Sequence, residues 1–186
     1  MRQNCRRPAC SFEIKMNLRN VTAINSFSRA EFVRVIGPAF EQSPWVAEAA
    51  WPKRPFASRE ALHAALCEIV AGAGPDKQLE LIRAHPDLAG QLALAGTLTA
   101  ESTREQAGAG LDRLTTEETE QFRKNNDAYR AKFGFPFVIC ARLNRKEAIL
   151  KGFRARLPNS REQELQTAVQ EIFKIAGLRL NDLISN

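Results

Sequence analysis

Helix start and stop signals recur along almost the whole chain, and they constrain its fold more than any other feature. Capping boxes, in which a Ser, Thr or Asn and a Glu or Gln three residues later satisfy amides at a helix start, occur at residues 28–31, 102–105, 144–147 and 160–163. Glycine or proline follows most of the apolar segments, as expected where helices end. No set of segments alternates as strands do. The sequence therefore predicts an all-α, single-domain bundle of roughly eight to ten helices.

Single residues predict further boundaries. Ser58 and Thr115 are expected to start helices, and Ser43, which precedes a proline, is expected to cap another. Gly177 is expected to close the last helix. The apolar run Phe133–Ala141 has no helical periodicity, and glycine and proline stand near its start. We expect it to be a buried loop that leads into a helix.

Composition excludes several classes of protein. The chain has 186 residues, of which 44% are hydrophobic and 26% charged, as expected of a globular domain. No stretch approaches the roughly 20 apolar residues of a membrane span. The net charge is +6, but Lys and Arg are scattered among acidic residues, so we expect no nucleic-acid partner. Residues 1–16 show neither caps nor periodicity, so they are predicted to be a loose extension before a domain at residues 17–186.

Cysteine and histidine offer no metal site at the level of sequence. The chain has four cysteines and two histidines. The cysteines do not have the spacing of a zinc site or of a dense disulfide framework, and two histidines are too few for a three-histidine zinc site. We therefore expect no metal site.

His85 heads the first segment that does not look like plain scaffold, His-Pro-Asp-Leu-Ala-Gly. Proline disfavours a helical conformation in the residue before it, so the helix is expected to end here. The helix dipole would then favour the protonated imidazole, and a histidine poised near neutral pH is a candidate general acid or base. The alternative is a helix stop that carries a surface histidine.

The second segment runs from Ser102 to Gln106 and continues as Ala-Gly-Ala-Gly-Leu. It can be a helix cap, with Ser102 as N-cap and Glu105 as the N3 residue. It can also bind a substrate carboxylate or carbonyl through free helix amides. Gly108 and Gly110 destabilise a helix, so close approach of a ligand or backbone is expected there.

Two weaker segments follow. Consecutive amides beside apolar side chains in the run Phe135–Ala141 would suit a flat heterocycle, although a buried connection explains the same pattern. Cys140 is not expected to be a nucleophile, because no histidine lies within motif distance of it in the sequence. Arg179, between two leucines, could bind an anion or belong to the polar face of a helix end.

Together, and in this order, the four segments resemble the OHCU decarboxylase family of urate degradation across approximately residues 20 to 184. The resemblance implies an all-helical, usually dimeric, cofactor-free carboxy-lyase. Its substrate would be 2-oxo-4-hydroxy-4-carboxy-5-ureidoimidazoline and its product (S)-allantoin. The chain lacks the C-terminal peroxisomal tripeptide of many eukaryotic members, so a cytoplasmic location is expected.

The resemblance also assigns roles. His85, Glu105 and Arg179 match catalytic residues, with Glu105 as the partner of the histidine. The substrate-binding positions that it implies are Pro86, Ser102, Thr103, Arg104, Glu105, Gln106, Phe137, Val138, Ile139, Cys140 and Ala141.

Two other classes of function remain open. One is a non-catalytic helical module that binds a purine-derived metabolite or a partner protein. Such a module would not require His85 and Glu105 as a proton-transfer pair. The other is a small basic DNA-binding protein, for which the sequence should contain a helix-turn-helix with a basic recognition helix; we find none.

Overall fold

Nine α-helices make up most of residues 19–90, 93 and 95–185, the part of the chain that the structure, a computed structural model, describes. They are α1 (Val21–Ser26), α2 (Arg29–Ile36), α3 (Trp45–Ala50), α4 (Arg59–Gly72), α5 (Gly74–Arg83), α6 (Ala100–Gly108), α7 (Thr116–Phe133), α8 (Lys146–Arg156) and α9 (Arg161–Leu183). These ranges contain no strand, only an isolated bridge between Arg19 and Ile184. The predicted all-α class is confirmed. The predicted extension, residues 1–16, lies outside the described residues.

Several of the predicted helix starts are confirmed. Ser28, Thr115 and Ser160 each form a complete capping box, and the Ser58 hydroxyl accepts from the N–H of Ala61 at 3.1 Å. Each cap satisfies amides that the first helical turn leaves without partners. Phe133 ends α7 and the following glycine has a φ of +78°, so the predicted helix stop is also confirmed.

Other predicted boundaries are wrong. Helix α8 starts after Arg145 without a side-chain cap, because the Asn144 amide donates instead to the Cys140 carbonyl at 3.0 Å. Pro44 and not Ser43 occupies the N-cap of α3. Helix α9 continues through Gly177 to Leu183. A Cβ at Gly177 would lie 3.3 Å from the His63 ring, so close packing between α4 and α9 explains this glycine.

Helix α9 is the longest, with 23 residues, and it packs against α4, α5 and the short turn Gly37–Ala39. An aromatic cluster fills the interior on the side of α7 and α8. The ring of Phe137 stacks on Phe153 with centroids 3.9 Å apart and meets Tyr129 edge-on at 5.1 Å. Within the described part of the chain, no helix combines the length and the hydropathy of a membrane span.

A buried ion pair joins this aromatic cluster to α9. Glu164 is fully buried and accepts from the Tyr129 hydroxyl, from Arg156 Nε at 2.9 Å and from Asn159 Nδ2 at 2.6 Å. The Arg156 guanidinium also donates to the Val138 carbonyl at 2.7 Å. Burial, followed by the hydrogen bond to Glu164, raises the pKa of Tyr129. The cluster therefore fixes the loop after α7 to the helices around it.

We predict that Glu164→Ala costs about 3–5 kcal/mol of unfolding free energy, because it leaves the Arg156 charge buried without its partner. Urea denaturation followed by far-ultraviolet circular dichroism measures this cost. The matched control is Glu162→Ala, which removes an exposed carboxylate from the first turn of the same helix and should cost less than about 1 kcal/mol. Equal losses in the two variants would show that Glu164 contributes no more than a surface charge.

Candidate active site

One pocket brings the predicted segments together. It holds about 380 Å³ of empty space when the solvent at its open mouth is included. Its lining comes from the loop after α5, from α6, from the loop after α7 and from α9: His85, Pro86, Leu88, Ser102, Glu105, Gln106, Phe137, Val138, Ile139, Ala141, Ile175 and Arg179.

His85 lies just beyond the C-terminal end of α5, as the following proline predicts. Its side chain is buried, so the surface alternative is wrong. Ring atom Nδ1 lies 3.0 Å from the Leu81 carbonyl oxygen. Because a carbonyl can only accept, Nδ1 carries the proton and the neutral ring leaves a lone pair on Nε2. That Nε2 has no hydrogen-bond partner among the described residues.

The expected charge state of His85 is also wrong. Burial lowers the pKa of the imidazole to about 4, although the hydrogen bond to Leu81 and the charge of Glu41 both favour the protonated form. Removal from water therefore outweighs the helix dipole that the sequence suggested. At neutral pH the ring is a neutral hydrogen-bond acceptor, ready to take up a proton rather than to donate one.

Several contacts hold the loop that carries His85. The Gln106 amide oxygen accepts from the N–H of Ala89 at 2.9 Å, and its nitrogen lies 3.4 Å from the Asp87 carbonyl. Arg130 Nε lies 2.9 Å from both carboxylate oxygens of Asp87. A Cβ at Gly90 would lie 2.7 Å from the Asp87 Cβ, so only glycine fits this turn. Gln106 thus lines the pocket and fastens the loop at once.

Helix α6 does not begin where its sequence suggests. Thr99 is the N-cap, and its hydroxyl accepts from the N–H of Ser102 at 3.2 Å. The capping box predicted for Ser102 and Glu105 is therefore wrong, because both residues lie inside the helix with their side chains in other contacts. Gly110 has a φ of +82° and follows the helix end, with open space around its Cα. This left-handed turn, and not a close contact, explains that glycine.

Glu105 pairs with Arg179 and not with His85. Its two carboxylate oxygens accept from Arg179 Nε at 2.8 Å and from Nη2 at 2.7 Å. This bidentate geometry gives the strongest form of carboxylate–guanidinium pair. Among the described residues, Glu105 has no hydrogen bond to His85. The predicted histidine–glutamate partnership is therefore replaced by a glutamate–arginine pair beside the histidine.

All five N–H groups of Arg179 have acceptors in the protein. Besides the two bonds to Glu105, Nη1 donates to the Pro38 carbonyl at 3.2 Å and to Glu41 Oε2 at 2.9 Å, and Nη2 donates to Ser102 Oγ at 3.3 Å. Only 4% of the side chain is exposed, so the alternative that Arg179 belongs to the polar face of a helix end is wrong. As arranged here, Arg179 organises the site and has no free N–H for a substrate anion.

Sequence reasoning missed three residues at the site: Leu88 and Ile175, which are apolar residues of the pocket lining, and the buried Glu41. Glu41 lies between the turn Gly37–Ala39 and α3, and it is almost fully buried. Burial alone raises the pKa of its carboxyl, but the charge of Arg179 and the hydrogen bonds from Thr99 and Ser102 hold the pKa below its ordinary value. The only sequence signal is that Glu41 is the single charged residue between Arg34 and Glu48.

The loop after α7 is the buried loop that the sequence predicts, leading into the short turn Ala141–Leu143. The N–H groups of Val138, Ile139 and Ala141 have no partner among the residues the structure describes. All three residues line the pocket beside the ring of Phe137. Unpaired amides next to an aromatic face can bind the polar edge of a flat heterocycle.

Three predicted binding residues lie away from the pocket lining. Thr103 is exposed and bonds back to the Thr99 carbonyl, and Arg104 is exposed and pairs with Glu101. The amide of Cys140 donates to Glu171 at 2.8 Å, and burial raises the pKa of its thiol. Cys140 is therefore neither an available amide nor an activated nucleophile.

The described part of the chain does not gather three or more His, Cys, Asp or Glu side chains into a set that could hold a metal ion. The polar groups that face the pocket are instead an imidazole nitrogen, main-chain amides and a carboxylate paired with arginine. Such groups can accept and return protons and can orient a ring.

We predict that His85 titrates at about pH 4 in the folded protein. Its ordinary pKa is about 6.5, so the unfolded chain takes up this proton first as the pH falls. The stability that the neutral ring contributes is therefore complete above about pH 6.5 and is lost as the pH falls toward about 4. The Cε1–H proton shift, assigned with a His63→Gln variant, measures the midpoint. A midpoint above pH 6 would contradict the burial argument.

Comparison with known proteins supports one class for this helical chain and its pocket, a decarboxylase. The family model for OHCU decarboxylase matches residues 25–181. The chain is 44% identical over 169 residues to the 2-oxo-4-hydroxy-4-carboxy-5-ureidoimidazoline decarboxylase of Amia calva. The aligned region covers 91% of this chain and 95% of that protein. The chain is 42% identical over 168 residues to the enzyme of the same name from Halalkalicoccus jeotgali, covering 90% and 93%.

A solved structure shares the fold. The crystal structure of (S)-allantoin synthase superimposes with a TM-score of 0.71 at 31% identity, covering 89% of this chain and 54% of that one. The chain therefore belongs to the OHCU decarboxylase family.

Proposed function

We propose that this protein decarboxylates 2-oxo-4-hydroxy-4-carboxy-5-ureidoimidazoline to (S)-allantoin in urate degradation. The observation that carries the proposal is the unpartnered Nε2 of His85, buried beside the Glu105–Arg179 pair in one pocket. Membership of the family supports the same reaction.

The substrate supplies its own electron sink. The carbon that loses carbon dioxide carries a hydroxyl group and adjoins a ring C=N bond. When the carbon–carboxylate bond breaks, its electron pair forms a double bond to the neighbouring ring carbon, and the imine nitrogen takes up the negative charge and is then neutralised by a proton from solvent. A proton then adds to that neighbouring carbon, and the hydroxyl loses its proton to become the carbonyl of allantoin. We therefore propose a reaction that requires neither metal nor organic cofactor.

His85 is proposed to move the proton. Its neutral Nε2 accepts the hydroxyl proton as the bond to the carboxylate breaks, and the imidazolium returns a proton to one face of the ring. The bond from Nδ1 to Leu81 fixes the ring orientation and the tautomer. Delivery from one fixed side accounts for a single product enantiomer.

The remaining groups are proposed to hold the ring in place. The free amides of Val138, Ile139 and Ala141 donate to the polar edge of the substrate while Phe137 packs on its face. Glu105, held by Arg179, faces the reacting centre as a fixed negative charge. Pro86, Ser102 and Gln106 complete the wall of the pocket.

We further propose that the functional unit is the domain at residues 17–186, that it pairs as a homodimer and that it acts in the cytoplasm. The family match over residues 25–181 supports the extent of the domain.

The decisive experiment generates the substrate in place from urate with urate oxidase and hydroxyisourate hydrolase, and follows optical activity by circular dichroism. Addition of this protein should cause rapid appearance of (S)-allantoin, whereas the uncatalysed reaction gives a racemate. No change in optical activity, together with binding of allantoin by calorimetry, would favour the alternative of a metabolite-binding module.

We predict that His85→Asn lowers kcat/KM by about 10²–10⁴-fold, the usual contribution of a positioned acid or base. The asparagine amide can still donate to the Leu81 carbonyl, but no basic nitrogen replaces Nε2. The matched control is His63→Asn, because His63 contacts the Phe173 carbonyl and Gly177 outside the pocket. It should affect stability and leave turnover per folded molecule unchanged. An active His85→Asn enzyme would exclude the proposed proton transfer.

We predict that Glu105→Gln lowers turnover at least about a hundredfold, because the amide removes the fixed charge and sets one of its N–H groups against a guanidinium N–H. The matched control is Glu101→Gln in the same helix, which loses only a surface pairing with Arg104. Both variants are assayed at equal concentrations of folded protein. Turnover within a few-fold of the unmodified enzyme would reduce Glu105 to a structural partner of Arg179.

A further inference from the structure

Glu41 is a buried carboxylate that contacts two residues of the pocket lining, Ser102 and Arg179. It does not line the pocket, yet its oxygens accept from Thr99 Oγ1 at 2.8 Å and Ser102 Oγ at 2.9 Å, and Oε2 lies 2.9 Å from Arg179 Nη1. Only 2% of its side chain is exposed. A buried charge is costly unless it is paired and hydrogen-bonded, and these contacts meet that requirement.

We propose that Glu41 is a positioning residue for the decarboxylation, acting through Ser102 and Arg179. This inference rests on the proposed function. It adds a residue that holds the groups in contact with substrate and does not itself contact substrate.

The first argument concerns the Ser102 hydroxyl. A hydroxyl has one proton to donate, and here that proton points to Glu41, while Arg179 Nη2 donates to the same oxygen at 3.3 Å. Ser102 can therefore only accept toward the pocket that it lines. Without the Glu41 carboxylate the hydroxyl could rotate, and the group facing the substrate would no longer be defined.

The second argument concerns charge. Glu105 alone would neutralise Arg179 through its two hydrogen bonds. The addition of Glu41 on the opposite edge of the guanidinium leaves one negative charge in excess among these three residues, close to a neutral His85. A fixed negative charge stabilises an imidazolium when the ring takes up a proton, and the Glu41 charge indeed favours the protonated form of His85.

The test is Glu41→Gln, which keeps the size of the side chain and removes its charge. We expect kcat to fall about 10- to 100-fold, less than the roughly 10²–10⁴-fold contributed by a group that itself transfers the proton, with KM changed less than about threefold. The control is Glu48→Gln. It removes an exposed carboxylate of the nearby helix α3 that pairs with Arg29, and it should leave both constants unchanged. If Glu41 only stabilises the fold, its variant will melt earlier but turn over normally per folded molecule, and the proposal is wrong.

Two further readouts identify the route of the effect. In a double-mutant cycle on kcat, Glu41→Gln should cost much less when Ser102 is already alanine, because the two residues act as a unit; additive losses would overturn the route through Ser102. In the free protein at pH 5, the nuclear magnetic resonance signal of His85 should report less imidazolium in Glu41→Gln than in the unmodified protein. The charged groups that act on His85 are Glu41 and Arg179, and Glu105 lines the same pocket.

The two proposals fail in different ways. If the unmodified protein produces no (S)-allantoin, the proposed function is wrong, and the His85 signal still tests the influence of Glu41 on the imidazole. If the unmodified protein is active and Glu41→Gln matches it in both kcat and the His85 signal, the proposed function stands and Glu41 has no positioning role.

Discussion

The rest of the site depends on the ion pairs that the buried guanidinium of Arg179 forms. The guanidinium ties α9 to α6 through Glu105 and to the link before α3 through Glu41. Each partner comes from a different part of the chain, so the pocket exists only when all three segments are in place. Buried ion pairs of this kind contribute little net stability compared with an apolar core. The arrangement is better understood as fixing the position and charge of groups that face a ligand.

A second buried ion pair performs the corresponding task on the other side of the pocket. The loop after α7 has no strand or helix partner for its main chain, and buried main-chain groups must be satisfied somehow. Arg156 donates a hydrogen bond to the Val138 carbonyl, and the Glu171 carboxylate accepts one from the Cys140 amide. The amides of Val138, Ile139 and Ala141, three residues of the pocket lining, have no protein partner among the described residues. Hydrogen bonds to Arg156 and Glu171 thus fix the irregular loop to the protein, and its pocket residues keep amides available to the substrate.

Local signals explain what could be predicted from the sequence. Ser28, Thr115 and Ser160 cap their helices through contacts with residues only three positions away. Both partners of each contact are therefore visible in a short stretch of sequence. Ser102 has the same local pattern but a stronger distant partner, Glu41, 61 residues away. The fold class, most helices and the segments that meet at the pocket were predictable. The pairing of Glu105 with Arg179, the burial of His85 and the position of Glu41 were not, because they depend on tertiary contacts.

The low pKa of His85 has a consequence for the timing of the proposed reaction. A base whose conjugate acid has a pKa of about 4 is available as acceptor at neutral pH, but it is too weak to remove a hydroxyl proton in advance. The hydroxyl becomes acidic only as the neighbouring bond to the carboxylate breaks and its carbon moves toward a carbonyl. Proton transfer to Nε2 therefore accompanies bond cleavage or follows it. The imidazolium formed is a stronger acid than an ordinary imidazolium because it is buried, so it gives its proton back readily. The ring carbon beside it accepts that proton, which completes allantoin.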